Sequence, residues 1–382
     1  MSFFRSRWVQ PPEGIEERDP AALAPGFRAA GVRTGVKPSG EPDVGLVTCD
    51  DPEVRSAALF TANAAPAPPV RICRERCDLG SLRAIVANSG NANAATGPHG
   101  IEDAADMQER AADALGLSPT LVGVASTGVI GRRLPMAAIL AGIEEAATEL
   151  GGDRGEDFAH SIMTTDSGPK RCAVRLDGVT LTAQAKGAGM MQPGFATLLC
   201  FVQTDAEVPD PSVRLRGAAE SSFGRITVDG QMSTNDSIFL QATGASGRPL
   251  PEGLLEAVLL QLALDVVADG EGATRVARVE AVEAASEEEA ERVARAIANS
   301  QLVQTGIFGH DANWGRIVQA AGMALVGEEV ELGPENVDAA ELGEDVAELE
   351  LGIRLGRGSW GAHVWCSDLT YDYVKLNAEY TT

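Results

Sequence analysis

The chain has 382 residues, 44% of them hydrophobic and only 4% aromatic, enough to bury a large core. Its net charge of −24, from 31 basic and 55 acidic residues, argues against a nucleic-acid or anionic-membrane partner, because phosphate binding needs concentrated positive charge. No run of about 18 apolar residues is available for a membrane helix, the start Met1-Ser-Phe-Phe-Arg-Ser-Arg lacks a secretion signal, and six thinly spread cysteines fit reduced thiols, so a soluble cytoplasmic protein is expected.

Residues 1–25, rich in proline and charge, read as an irregular arm. Strand-like runs follow at 44–47, 57–60 and 83–88, then helices over 102–115 and 136–150; in the second, Ile139, Ile143, Ala147 and Leu150 share a face. Strands are expected at 171–184 and 198–203, and an apolar helix over 252–268. A further helix opens on Ser286-Glu-Glu-Glu289, a capping box, and runs to about 299. Strands are expected at 276–283, 302–308, 346–356 and 361–375, with the acidic stretch 328–350 as solvated surface. Strands and helices without strict alternation predict an α+β layered fold.

One stretch carries the most chemistry. Lys186-Gly-Ala-Gly-Met190 leads through a proline-broken loop to Ala196-Thr197 and an apolar strand. A cut before Thr197 would expose a threonine with its hydroxyl and a free α-amine, a nucleophile with its own general base. That implies acyl transfer or amide hydrolysis. Lysine is scarce (Lys37, Lys170, Lys186 and Lys375 against 27 arginines), and Lys186 lies eleven residues before the proposed nucleophile.

Other motifs are ambiguous singly. Ser126-Thr127-Gly128-Val-Ile-Gly131 is either an oxyanion-binding turn or an ordinary glycine turn. Asn88, Asn91 and Asn93 form a polar wall or merely close turns. Met163-Thr164-Thr165-Asp166 is a hydroxyl-rich turn. The segments 222–230 and 233–236 either bind substrate or support the loop that does, and Asp269-Gly-Glu271-Gly presents a carboxylate beyond a helix or simply ends it. Phe308-Gly-His-Asp-Ala-Asn313-Trp-Gly-Arg316 is dense in uncommon residues. Neither the four histidines nor Cys73 and Cys77 have metal-ligand spacing, so neither a metal nor a cofactor is expected.

Taken in order, these motifs, with Arg28-Ala-Ala-Gly-Val, Arg225-Ile-Thr-Val-Asp-Gly230 and Cys366-Ser-Asp-Leu-Thr-Tyr-Asp-Tyr373, resemble the bifunctional ornithine acetyltransferase/N-acetylglutamate synthase family from about residue 26 onward. The resemblance implies a layered α/β sandwich of the self-cleaving aminopeptidase-like type with a smaller C-terminal lobe. It implies self-cleavage between Ala196 and Thr197 into an α chain, 1–196, and a β chain, 197–382, assembled as α₂β₂. The implied reaction moves acetyl from N-acetylornithine to glutamate through an acetyl-threonine, with acetyl-coenzyme A open as a second donor. Thr197 is then the nucleophile, and Thr127 and Gly128 the oxyanion hole. Thr164, Thr165, Lys186, Glu271, Asn377 and Thr382 would contact substrate. A hydrolase or aminopeptidase on the same threonine is the alternative. Before the cut, Pro193-Gly-Phe-Ala196 departs from the family's usual Pro-Asn-Met-Ala.

Overall fold

The computed structural model describes residues 2–192 and 198–379. Among them, three sheets organise the chain. A six-stranded sheet runs in the order Glu16–Glu17, Lys170–Leu176, Val179–Lys186, Leu199–Thr204, Ser237–Ala242 and Arg55–Phe60. A four-stranded sheet holds Phe27–Val32, Val44–Cys49, Ala84–Asn88 and Val122–Ser126. A five-stranded sheet places Val276–Ala284 between Trp360–Ser367 and Glu348–Arg354. The expected α+β layering is what the chain forms.

The two faces of the six-stranded sheet serve different cores. Cys200, Val202, Ile238 and Leu240 pack with the apolar helix Leu254–Ala268 and with Pro211–Glu220. Leu199, Phe201 and Phe239 point the other way, into a core shared with the four-stranded sheet. This period-two division explains why 199–202 reads as an unbroken apolar run: both its faces are covered. Phe201 stacks on Phe239 at 5.6 Å, and Phe158, from helix Gly155–Ile162, meets Phe201 edge-on at 4.9 Å. Burying each such ring contributes roughly 2–3 kcal/mol. Helix Gly155–Ile162 lies directly on Gly31, where a Cβ would come within 2.0 Å of the Asp157 carbonyl oxygen.

Strand Leu199–Thr204 runs antiparallel to Val179–Lys186 and parallel to Ser237–Ala242. The segments on either side of Ala196-Thr197 are therefore hydrogen-bonded neighbours in one sheet.

Two expectations fail. Residues 302–308 are not a strand but helix Gln301–Phe308, whose buried Val303 and Ile307 recur at a helical interval of four and whose Ser300 hydroxyl caps the Val303 amide at 3.4 Å. The strand placed at 361–375 ends at Ser367, and helix Tyr371–Glu379 follows, with the Tyr373 amide donating to the Thr370 hydroxyl at 3.2 Å. The N-terminal arm is also more ordered than composition suggests. The Arg5 and Ser6 amides donate to Gln261, and Trp8 packs against Trp365. At Ser286 half of the expected capping box forms: the Ser286 hydroxyl accepts from the Glu289 amide at 3.1 Å, while the Glu289 carboxylate accepts from the Ala285 amide at 2.9 Å and not from that of Ser286.

Candidate active site

Strand Val122–Ser126 ends in the glycine turn, and the turn is locked from both sides. The Thr127 amide donates to the Asn88 carbonyl at 3.0 Å and the Val129 amide to the Gly90 carbonyl at 3.4 Å. Between them, the Gly128 amide makes no hydrogen bond among the described residues, which leaves a donor available. Gly128 has φ +127°, and a Cβ there would stand 2.4 Å from the Gly90 carbonyl carbon and 2.5 Å from the Asn91 nitrogen. Only glycine fits.

The asparagines beside this turn are committed to backbone. Asn88 Nδ2 donates to the Asn91 carbonyl, Asn91 Nδ2 to Arg133 and Asn93 Nδ2 to Gly100. They close turns, the plainer of the two readings. Asn235 does the same from across the sheet, donating to the carbonyls of Ala92 and Ser126.

Lys186 ends strand Val179–Lys186 and is only 2% exposed. Its ammonium donates to the Thr164 hydroxyl at 2.7 Å and the Thr127 hydroxyl at 3.3 Å, so three residues from three segments meet at one point. Burial lowers the Lys186 pKa, and the charge of Asp166, 4.0 Å away, opposes that shift. Burial alone would push the Asp166 carboxyl up, yet Lys186 and Lys170 outweigh it and hold the group well below the usual carboxylate range. A protein of net charge −24 thus keeps a buried ammonium at this point, held beside a buried carboxylate.

Glu271 faces the opposite charge requirement. It sits in the turn beyond helix Leu254–Ala268, and its amide donates to the Ala188 carbonyl at 2.8 Å. Thr165 donates to one carboxylate oxygen at 2.9 Å and Asn377, from the C-terminal helix, to the other at 2.8 Å. The carboxylate lies over Gly189, where a Cβ would be 2.8 Å from its carbon. The structure therefore brings Thr127, Gly128, Thr164 and Lys186 together, and Thr165, Glu271 and Asn377 together. Ala196, Thr197 and Thr382 lie outside the described residues.

Carboxylates of the segments 222–230 and 233–236 anchor both flanks of residues 193–197. Asp229 accepts the amides of Met190 at 2.6 Å and Met191 at 2.8 Å, and Asp236 accepts that of Leu198 at 3.1 Å. Asp236 is wholly buried, and burial raises its pKa well above the carboxylate range. These motifs support the loop. The Asn313-Trp-Gly-Arg316 motif belongs elsewhere: Arg316 donates to the Leu302 carbonyl and pairs with Asp311. Asp166, Lys170 and Lys37 were also missed, although lysine scarcity pointed to them: three of the four lysines are buried here, and burial lowers Lys37 to about 8.

A model of the ArgJ family matches residues 28–382. Among curated proteins, the arginine biosynthesis bifunctional protein ArgJ of Symbiobacterium thermophilum is 43% identical, the alignment covering 94% of this chain and 97% of that one. The protein of the same name from Thermus thermophilus is also 43% identical, over 94% and 99%. Among solved structures, ornithine acetyltransferase from Mycobacterium tuberculosis complexed with ornithine is 39% identical, covering 48% of this chain and all of that one, with a TM-score of 0.45.

Proposed function

The chain belongs to the ArgJ family, and from that premise we propose that it is a self-processing acetyltransferase of arginine biosynthesis, moving acetyl from N2-acetylornithine to glutamate. The observation that carries the reading is the convergence of Lys186, Thr127 and Thr164 beside a glycine turn whose Gly128 amide has no partner among the described residues. Facing groups of opposite charge, Lys186 and Glu271, suit an amino acid with a carboxylate at one end and an ammonium at the other.

The chemistry follows from the donor. Its α-nitrogen is acetylated, so its sole ammonium is at the end of the side chain, and Glu271 pairs with that end. Lys186 takes the α-carboxylate. The Thr197 hydroxyl attacks the acetyl carbonyl while its α-amine accepts the proton. The Gly128 amide and Thr127 hydroxyl stabilise the oxyanion, a contribution of about 3–4 kcal/mol for one well-placed donor. Collapse breaks the amide C–N bond, the proton passes to the departing ornithine nitrogen, and an acetyl ester remains on Thr197. The glutamate amine then attacks the ester, its proton goes to the threonine amine, and the hydroxyl is restored as N-acetylglutamate leaves.

The same hydroxyl, acting on the Ala196 carbonyl, opens the peptide bond by forming an ester that water hydrolyses. The α and β chains, 1–196 and 197–382, then remain joined through the strand pairing of Val179–Lys186 with Leu199–Thr204. Two such pairs make an α₂β₂ enzyme working in the cytoplasm, and acetyl-coenzyme A serves glutamate as a second acetyl donor. The test is transfer of labelled acetyl from N2-acetylornithine. N-acetylglutamate formed only when glutamate is present supports the reading; free acetate at the same rate without glutamate identifies a hydrolase instead.

A further inference from the structure

Lys186 and Glu271 stand on different elements, yet a line of charged side chains runs from Lys186 through Asp166 and Lys170 to Asp269, two residues before Glu271 in the same turn. Asp166 accepts from Lys170 Nζ at 2.7 Å, from the Gly187 amide at 2.7 Å and from the Thr164 amide at 2.9 Å, while lying 4.0 Å from Lys186 Nζ. Lys170 turns its remaining donors to Asp269 at 2.5 Å. Asp269 accepts in turn from the Ser167 amide at 3.0 Å and the Ser167 hydroxyl, and it precedes Glu271 by two residues. Asp166 and Lys170 are both buried. A buried ion pair of this kind is weak evidence for stability, because desolvation offsets most of the attraction, so its worth here lies in geometry.

We infer that Asp166, Lys170 and Asp269 are positioning residues that fix the separation between the Lys186 ammonium and the Glu271 carboxylate, and so select the acyl donor by the length of its side chain. The inference rests on the acetyltransferase reading above. The main chain is braced once, by the Glu271 amide on the Ala188 carbonyl. The relay is the second brace: it ties Asp269, and with it the turn that carries Glu271, to Lys170 and to Asp166 beside the Lys186 ammonium. Among the described residues, none of its three members hydrogen-bonds to Thr127, Gly128 or the Glu271 carboxylate. A donor one methylene longer must fit the same two fixed charges, and rejecting a single methylene is worth roughly 10- to 200-fold.

The experiment compares kcat and KM for N2-acetylornithine and N2-acetyllysine in the processed enzyme, with thermal unfolding of each variant alongside. Wild type should favour the ornithine donor by at least about ten-fold. Asp269→Asn turns an amide N–H toward Lys170, and its preference should fall to about three-fold or less, through KM, with kcat for the ornithine donor within about three-fold of wild type. Ser167→Ala, which removes one hydroxyl at the exposed end and leaves the buried pair intact, should move the ratio the same way by a smaller factor. If Asp269→Asn fails to fold, the serine variant decides. A lowered unfolding temperature with the wild-type ratio retained would mean a purely structural network and would overturn the inference. Wild-type enzyme that transfers no acetyl overturns the functional reading itself, and the relay with it.

Discussion

Replacing Gly189 by alanine tests the placement of Glu271 without touching the fold. The added Cβ would lie 2.8 Å from the Glu271 carboxyl carbon and one oxygen, and 3.0 Å from the other. Ordinary contact begins near 3.4 Å, so the carboxylate must retreat by about 0.6 Å. Retreat stretches the Thr165 and Asn377 bonds, now 2.9 and 2.8 Å, toward about 3.5 Å, where a hydrogen bond is largely lost. Both donors are exposed, so each bond is worth about 0.5–1.5 kcal/mol rather than the larger value of a buried one. The displaced carboxylate should then cost about 1.4 kcal/mol of donor binding, which is ten-fold in KM. Gly189 does not hold a left-handed backbone, so alanine adds no strain there and the unfolding temperature should stay within about 2 °C. Steady-state kinetics with N2-acetylornithine would read the effect. An unchanged KM, or a loss confined to kcat, would refute the role given to Glu271.

Three further outcomes are expected. Gly128→Ala combines a left-handed φ with backbone collisions at 2.4 and 2.5 Å, so the turn must move; kcat should fall 10²- to 10³-fold, and the chain should lose a few kcal/mol of stability in denaturant titration. Lys186→Met keeps the volume and removes the charge, which should raise KM for N2-acetylornithine at least ten-fold; an unchanged KM would count against its contact with the carboxylate. His363 is held neutral, its pKa lowered to about 4 by burial and then by Arg278 and Arg225. The unfolded chain takes up that proton first, so this group's contribution to stability is lost as pH falls from about 6.5 to 4, by at most about 3 kcal/mol. His363→Gln should flatten stability over that window while leaving it unchanged at pH 8.

Much of the fold was legible because periodicity reports burial directly. Helix Leu254–Ala268, strand Val276–Ala284 and the hairpin within 171–184 stand where the pattern put them, the last divided by Asp177 and Gly178 into Lys170–Leu176 and Val179–Lys186. Gln301–Phe308 misled because β-branched Val303 and Ile307 favour a strand locally, while their spacing of four is what the packed helix uses. Among the site candidates, Thr127, Gly128, Thr164, Thr165, Lys186, Glu271 and Asn377 were named from the family resemblance, and which of them meet is a tertiary fact. Asp166 was seen only as the end of a hydroxyl-rich turn. Its role depends on Lys170 and Lys186 arriving from adjacent strands, and local sequence does not encode that meeting. For Asp229 and Asp236 sequence left two readings open, substrate binding or loop support, and the choice needed the structure because their partners are backbone amides.

A nucleophile created by cutting the chain at Ala196-Thr197 leaves a direct signature in the intact mass of the purified protein. Wild-type protein should give two polypeptides, one ending at Ala196 and one beginning at Thr197, and Thr197→Ala a single uncut polypeptide of 39.8 kDa, inactive in acetyl transfer. A wild-type chain that transfers acetyl while remaining one unbroken polypeptide would contradict this.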